Sequence, residues 1–175
     1  MIKQIQKILR EAGELSLTYY RKITETDVEY KGEVDVVTKV DKELEELLRR
    51  RLAGAFPDIS FFGEEGEYGA LNEMAHVFIV DPIDGTTNFV HGHPIYSISL
   101  GYREHGETKL GAVYLPVLDK LYWAERGKGA FMNLKNAVDF GALLSPPQAK
   151  VGGFIGGRWK KCPLVKLATA TDRLR

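Results

Sequence analysis

The sequence predicts an α+β protein, a layered α/β sandwich in which two N-terminal helices pack on a largely antiparallel sheet. Apolar residues recur at helical spacing as far as Gly54, and short β-rich runs separated by turn residues follow at close spacing. Two helices in succession and then mostly strands are typical of a layered α+β domain.

The two predicted helices differ in how their limits are marked. The first covers residues 2–22, and residues 30–37 after it are predicted to be extended. The second begins at Thr38, because a threonine followed by Asp41 matches the Ser/Thr-x-x-acid pattern of helix starts, and it ends near Gly54. The apolar stripes are Ile2, Ile5, Leu9, Ala12 and Leu15 in the first helix, and Val40, Leu44, Leu47, Leu48 and Leu52 in the second.

The predicted strands follow the second helix. A short apolar strand at residues 59–62 leads to Glu64 and Glu65, and the run 77–80 leads to Asp81. Three further β-rich runs, at residues 96–102, 110–115 and 121–125, are separated by turn residues. Their close spacing predicts an antiparallel meander.

Composition excludes several classes of function. The chain has 175 residues, with 24 basic and 24 acidic side chains, so net charge favours neither a nucleic-acid nor a membrane partner. No apolar run approaches the ~20 residues of a membrane span, and the polar N-terminus is unlike a signal peptide. The single cysteine, Cys162, suits a reducing compartment, and we expect a cytoplasmic protein.

The most informative segment runs from Asp81 to Asn88. Asp81 and Asp84 are predicted to lie in a turn at a strand end, followed by Gly85 and Thr86, which are residues that open helices. Hard cations such as Mg²⁺ prefer carboxylate oxygens together with substrate phosphate, and the first amides of a helix favour anions. A metal and phosphate site is the functional interpretation, and a turn with two capping aspartates is the structural alternative.

Four motifs in order resemble the inositol monophosphatase family of Mg²⁺-dependent, lithium-sensitive sugar phosphatases. They are residues 35–41, 62–65, 81–89 and, more weakly, 127–133. The resemblance implies hydrolysis of a small phosphate monoester, such as inositol 1-phosphate or fructose 1,6-bisphosphate, by metal-activated water. It also implies a homodimer.

Specific roles follow from the resemblance, position by position. Glu64, Asp81, the carbonyl oxygen of Ile83 and Asp84 correspond to metal ligands. Asp41, Glu64 and Thr86 correspond to catalytic residues, Thr86 being the threonine that orients the attacking water.

The resemblance also implies which residues bind the substrate phosphate and which carboxylates hold the metal ligands in position. Asp84, Gly85 and Thr86 correspond to the positions that bind substrate phosphate. Asp35 and Glu65 correspond to supporting carboxylates, although a solvated position is equally open for Glu65. Lys31 is either a loop lysine near the metals or an ordinary solvated lysine.

The resemblance divides the chain into two parts. Residues 1–133 are predicted to form the metal-dependent phosphatase domain, and residues 134–175 an atypical tail or a remnant of the second α/β domain. The tail lacks the Trp-Asp motif that carries a further metal ligand in the family, since Trp159 is followed by Lys160. We therefore expect a truncated or frame-shifted family member, with a diverged short form as the other possibility. We expect its activity to be weak or absent. If it is inactive, the chain would act as a binding or dimerisation module.

Overall fold

The computed structural model describes residues 1–23, 28–30, 36–66 and 68–133. The predictions for Lys31, Asp35 and the tail 134–175 lie outside the described residues. Within those residues the chain forms three α-helices and eight strands. The helices are α1 (Ile2–Tyr19), α2 (Lys39–Ala55) and α3 (Thr86–Val90); the strands are β1 (Val28–Tyr30), β2 (Val36–Thr38), β3 (Ser60–Phe62), β4 (His76–Asp84), β5 (Ser97–Glu104), β6 (Glu107–Leu115), β7 (Lys120–Glu125) and β8 (Gly129–Asn133).

A six-stranded sheet organises the domain, in the order β3-β4-β5-β6-β7-β8. Strand β3 pairs with β4 in parallel, and every later pair is antiparallel. A separate antiparallel pair joins β1 to β2. The predicted meander is thus confirmed, and the parallel β3–β4 pair brings the ends of two strands to the same edge of the sheet.

The core lies between this sheet and helices α1 and α2. The apolar stripes of both helices pack against inward-facing side chains of β4, β5 and β6, which include Phe78, Ile98 and Leu100. These side chains are fully buried. Burial of this kind contributes about 25 cal/mol per Å² of apolar surface, so the layered packing is the main stabilising term. The predicted fold class of two helices on a mostly antiparallel sheet is confirmed.

Helix α2 begins where the sequence predicted. The Thr38 hydroxyl accepts a hydrogen bond from the Val40 amide at 3.1 Å, and the Asp41 carboxylate accepts one from the Thr38 amide at 2.8 Å. This is a reciprocal capping box, which satisfies amides that have no partner within the helix. Such a cap is worth ~1 kcal/mol.

Helix α1 ends at Tyr19, three residues before the predicted limit of 22. Tyr20 leaves the helix to stack near Phe89 and Tyr96, and its hydroxyl donates to the Gly92 carbonyl at 2.7 Å. Arg21 then adopts a left-handed backbone with φ of 61°. Tertiary packing of one aromatic ring therefore overrides the helical pattern.

The sheet extends one strand beyond the sequence prediction. Strand β8 was not predicted, and it pairs with β7 across a turn in which Gly127 and Gly129 have positive φ.

In the part of the chain that the structure describes, no helix combines the length and the apolar character needed to cross a bilayer.

Candidate functional site

Asp81 and Asp84 lie in strand β4, which continues through the segment that was predicted to be a turn. Asp81 pairs with Ser99 and Asp84 with Ser97, so Pro82 and Ile83 together oppose one residue of β5. This is a β-bulge, and proline suits it because proline has no amide to donate to the ladder. Residues three apart in a regular strand face opposite sides, but the extra residue brings both carboxylates to the same side.

The parallel pairing of β3 with β4 brings Glu64 to the same place. Phe62 pairs with Ile79, so Glu64, two residues further on, lies level with Asp81. The Glu64 carboxyl is one of the causes that raise the pKa of Asp81, through its charge and through a side-chain hydrogen-bonding contribution. Glu64 and Asp84, which the sequence proposed as metal ligands with Asp81, thus lie near enough to Asp81 for their charges to raise its pKa.

The pKa of Asp81 reflects the nearby negative charges. Burial of the carboxyl is the largest cause that raises its pKa well above the usual range, and the negative charges of Glu64 and Asp84 raise it further. The pKa of Asp84 is also raised, by burial first and by the Glu64 charge, against the hydrogen bond from Ser97 at 3.4 Å. Carboxylates held this close repel one another unless a proton or a cation lies between them.

Thr86 and Asp41 form a second contact beside these carboxylates. The Thr86 hydroxyl lies 3.0 Å from the Ile83 carbonyl oxygen and 3.3 Å from Asp41 Oδ1, and its single hydrogen can be donated to either. Asp41 is 1% exposed, and its other oxygen accepts from the Thr38 hydroxyl at 2.6 Å. Burial raises the pKa of Asp41 to about 6, against the hydrogen bonds from Thr38.

Gly85 links β4 to α3 through a conformation that favours glycine. Its φ is 97°, in the left-handed region, and it forms the N-cap of α3. The amides of the first turn of a helix have no acceptors within the helix, so the Thr86 amide has no acceptor inside α3. Asn88 fixes the far side of this turn through a 2.6 Å hydrogen bond to the Ile95 carbonyl.

Glu65 is the remaining described residue of the predicted set, and it lies close enough for its charge to raise the pKa of Asp41. Its backbone amide donates to Glu45 Oε2 at 2.8 Å. Sequence reasoning missed Glu45. The signal that could have found it is its position four residues after Asp41, on the same face of α2.

The types of oxygen atom in the proposed ligands suit a hard cation. Three carboxylates and a backbone carbonyl are the oxygen ligands that Mg²⁺ prefers. Among the residues that the structure describes, no three acidic, histidine or cysteine side chains are gathered closely enough to hold a metal ion.

Fold and site together define a layered α+β domain with an acidic cluster at the edge of its sheet. A model of the inositol monophosphatase family matches residues 1–148, past the limit of 133 taken from the motifs. The chain therefore belongs to the inositol monophosphatase family.

Individual relatives agree with this assignment. The chain is 42% identical over 128 residues to the fructose-1,6-bisphosphatase/inositol-1-monophosphatase of Thermotoga maritima, covering 73% of this chain and 48% of the relative. The crystal structure of the extragenic suppressor protein suhB from Bartonella henselae is similar with a TM-score of 0.71 and 36% identity, covering 75% of this chain and 51% of that one. An IMPase/NADP phosphatase complexed with Mg²⁺ and phosphate is similar with a TM-score of 0.67 and 36% identity, covering 75% and 49%. The chain thus spans about half the length of the relatives that it matches.

Proposed function

We propose that this chain hydrolyses a small phosphate monoester in a Mg²⁺-dependent reaction. The observation that supports this most strongly is that Glu64 and Asp84 lie near enough to Asp81 for their charges to raise its pKa, beside the Thr86–Asp41 contact. The family and the relative that is complexed with Mg²⁺ and phosphate support the same reaction.

Glu64, Asp81 and Asp84 would hold the metal, together with the Ile83 carbonyl oxygen. When bound, Mg²⁺ neutralises phosphate charge and lowers the pKa of a bound water. The Ile83 carbonyl has a second lone pair, so the 3.0 Å contact with Thr86 leaves it able to bind a cation. The bulge at Pro82 presents these oxygens on one side, which a regular strand would not do.

Thr86 would orient the attacking water, and Asp41 would fix Thr86. With its hydrogen directed to Asp41, the Thr86 hydroxyl presents lone pairs that accept a hydrogen bond from water. Asp41 can then take up a proton through Thr86, and its raised pKa of about 6 suits a proton acceptor near neutral pH.

Asp84 and the backbone amides of Gly85 and Thr86 would bind the substrate phosphate, Asp84 through the metal. The left-handed Gly85 brings the backbone close, and no Cβ blocks the approach. The relatives are named for different substrates: one for fructose 1,6-bisphosphate and inositol 1-phosphate, and another for NADP. The proposal is therefore the class of small phosphate esters. Lithium inhibition, the homodimer and the cytoplasmic location remain predictions from the sequence.

Phosphate release tests the proposal. Purified chain is incubated with inositol 1-phosphate, fructose 1,6-bisphosphate or NADP, with and without Mg²⁺, and Asp58→Asn at an exposed position serves as the control variant. We expect Mg²⁺-dependent release from at least one substrate, inhibited by Li⁺ and abolished in Asp81→Asn but not in Asp58→Asn. Release that needs no divalent cation, or that persists in Asp81→Asn, contradicts the proposal.

A second candidate function is binding without turnover. Trp159 is followed by Lys160, whereas the resemblance implies a Trp-Asp motif whose aspartate binds metal, and this difference favours it. Binding of Mn²⁺ or inorganic phosphate, without release from any of the three substrates, would identify this alternative.

A further inference from the structure

Glu45 is a buried carboxylate that the reaction does not use. It is 5% exposed on helix α2, and both of its described partners lie in the segment that follows β3. Its Oε2 accepts a hydrogen bond from the Glu65 amide at 2.8 Å, and its Oε1 accepts one from the Tyr68 hydroxyl at 2.8 Å. One side chain therefore contacts both Glu65 and Tyr68.

Gly63 makes this contact possible. A Cβ at Gly63 would overlap with the carboxylate of Glu45, and the backbone of Gly63 is not in the left-handed region. Glycine is thus required here for space rather than for conformation, because the chain passes directly over the Glu45 carboxylate. Gly63 is the residue immediately before Glu64.

Glu45 and Asp41 share one face of α2, since they are four residues apart. Asp41 contacts Thr86, and Glu45 contacts the segment that carries Glu64. Both carboxylates are buried although α2 is otherwise polar outside its apolar stripe. Helix α2 therefore connects, through two buried acids, to two of the segments that form the candidate site.

We propose that Glu45 is a positioning residue that holds Glu64 in place for the metal, an inference that rests on the proposed function. Glu45 is not among the residues proposed to hold the metal or the substrate phosphate. It fixes the backbone on both sides of Glu64 through the Glu65 amide and through close contact with Gly63, so Glu64 stays level with Asp81. Residues that orient metal ligands in this way typically change metal affinity by roughly 10–100-fold when removed.

The variants separate positioning from general stability. Glu45→Ala removes both hydrogen bonds, whereas Glu45→Gln keeps an acceptor for the Glu65 amide and offers Tyr68 a donor. Gly63→Ala creates an overlap with Glu45, but in the Glu45→Ala background that overlap disappears. Glu46→Ala, at the next and exposed position of α2, is the matched control.

Two readouts are measured on the full chain: Mn²⁺ affinity by electron paramagnetic resonance, and amide hydrogen exchange. We expect Glu45→Ala and Gly63→Ala each to weaken Mn²⁺ binding about tenfold and to accelerate exchange of the Glu65 amide, with β4 and β5 unchanged. Glu45→Gln and Glu46→Ala should remain within about threefold of the unsubstituted chain, and Gly63→Ala should add nothing to Glu45→Ala.

Three results would overturn the inference. Unchanged Mn²⁺ affinity in a folded Glu45→Ala variant shows that Glu64 needs no such support, although the unsubstituted chain binds metal and the proposed function stands. Exchange accelerated equally in β4 and β5 shows a general structural role. No Mn²⁺ binding by the unsubstituted chain overturns the metal site and this inference together.

Discussion

Asp81 and Asp84 face the same side of the sheet although they are three residues apart in one strand. Their cross-strand partners, Ser99 and Ser97, are only two residues apart, and the bulge at Pro82 and Ile83 accounts for the difference. Ile83 is turned into the core, where it is 2% exposed. One extra residue thus buries an apolar side chain and gathers two acids on the opposite face.

Neutralising Asp81 should leave the fold intact and, without metal, stabilise it slightly. Asp81→Asn removes a buried acid that Glu64 and Asp84 crowd, while the amide can still donate to Glu64. We expect the free energy of unfolding in EDTA at neutral pH to rise by up to ~1 kcal/mol, measured by urea denaturation. Asp58→Asn should change it little, and a clear loss of stability in Asp81→Asn would show that the acid supports the fold.

Asp41 should make the metal-free protein less stable as pH rises. Its pKa increases from 3.8 to about 6 on folding, so the stability that it contributes is fully present below pH ~4 and is lost as pH rises through ~6. Asp41→Asn resembles the protonated acid and should gain stability relative to the unsubstituted chain across this window, by up to about 3 kcal/mol. Urea denaturation at pH 4, 5, 6 and 7 in EDTA measures the difference, and a difference that is constant with pH contradicts the assignment.

Gly85 should tolerate substitution less well than a helical glycine. Gly85→Ala has space around the new Cβ, with nearest atoms at 3.6 Å, but it places alanine at a φ of 97°. We expect a loss of about 1–2 kcal/mol in unfolding free energy from this strain. Gly54→Ala, inside α2 with nothing within 4 Å, should instead gain about 0.5–1 kcal/mol. Equal effects at both positions would contradict the left-handed conformation of Gly85.

Thr86 should affect turnover and not metal binding. Thr86→Val keeps the shape of the side chain and removes the hydroxyl that contacts Asp41 and the Ile83 carbonyl. We expect kcat for the preferred phosphate ester to fall about 10²–10⁴-fold, with Mn²⁺ affinity within about twofold. Thr87→Val, at the exposed neighbouring position, is the control. A parallel loss of metal affinity in Thr86→Val would show that the hydroxyl serves the metal site.

The elements that the sequence predicted well are those with strong periodic or capping signals. Capping chemistry predicts the start of α2 at Thr38. The short β-rich runs separated by turn residues predict the meander from β5 to β7. The early end of α1 could not be predicted in this way, because it depends on Tyr20 packing against Phe89 and Tyr96, which lie about seventy residues away along the chain.

In the candidate site too, the sequence identified the residues that belong to local motifs and missed those that depend on contacts between distant segments. Motif resemblance singled out Glu64, Asp81 and Asp84, and in the structure the charges of Glu64 and Asp84 raise the pKa of Asp81. The sequence predicts a turn where the structure has the bulge at Pro82, because proline after an acid favours both and only the pairing with β5 distinguishes them. Glu45 was missed because its role depends on close approach to Gly63, a distant contact that the local pattern of α2 does not reveal.

Direct titration with Mn²⁺, followed by electron paramagnetic resonance, tests the central claim that the acids at the β3 and β4 strand ends form a divalent-metal site. We expect the unsubstituted chain to bind Mn²⁺ in competition with Mg²⁺, with affinity increased by inorganic phosphate. Asp81→Asn should lose at least about tenfold in affinity, and Asp58→Asn should match the unsubstituted chain. Equal Mn²⁺ binding in Asp81→Asn and the unsubstituted chain, or no binding by either, would contradict the account.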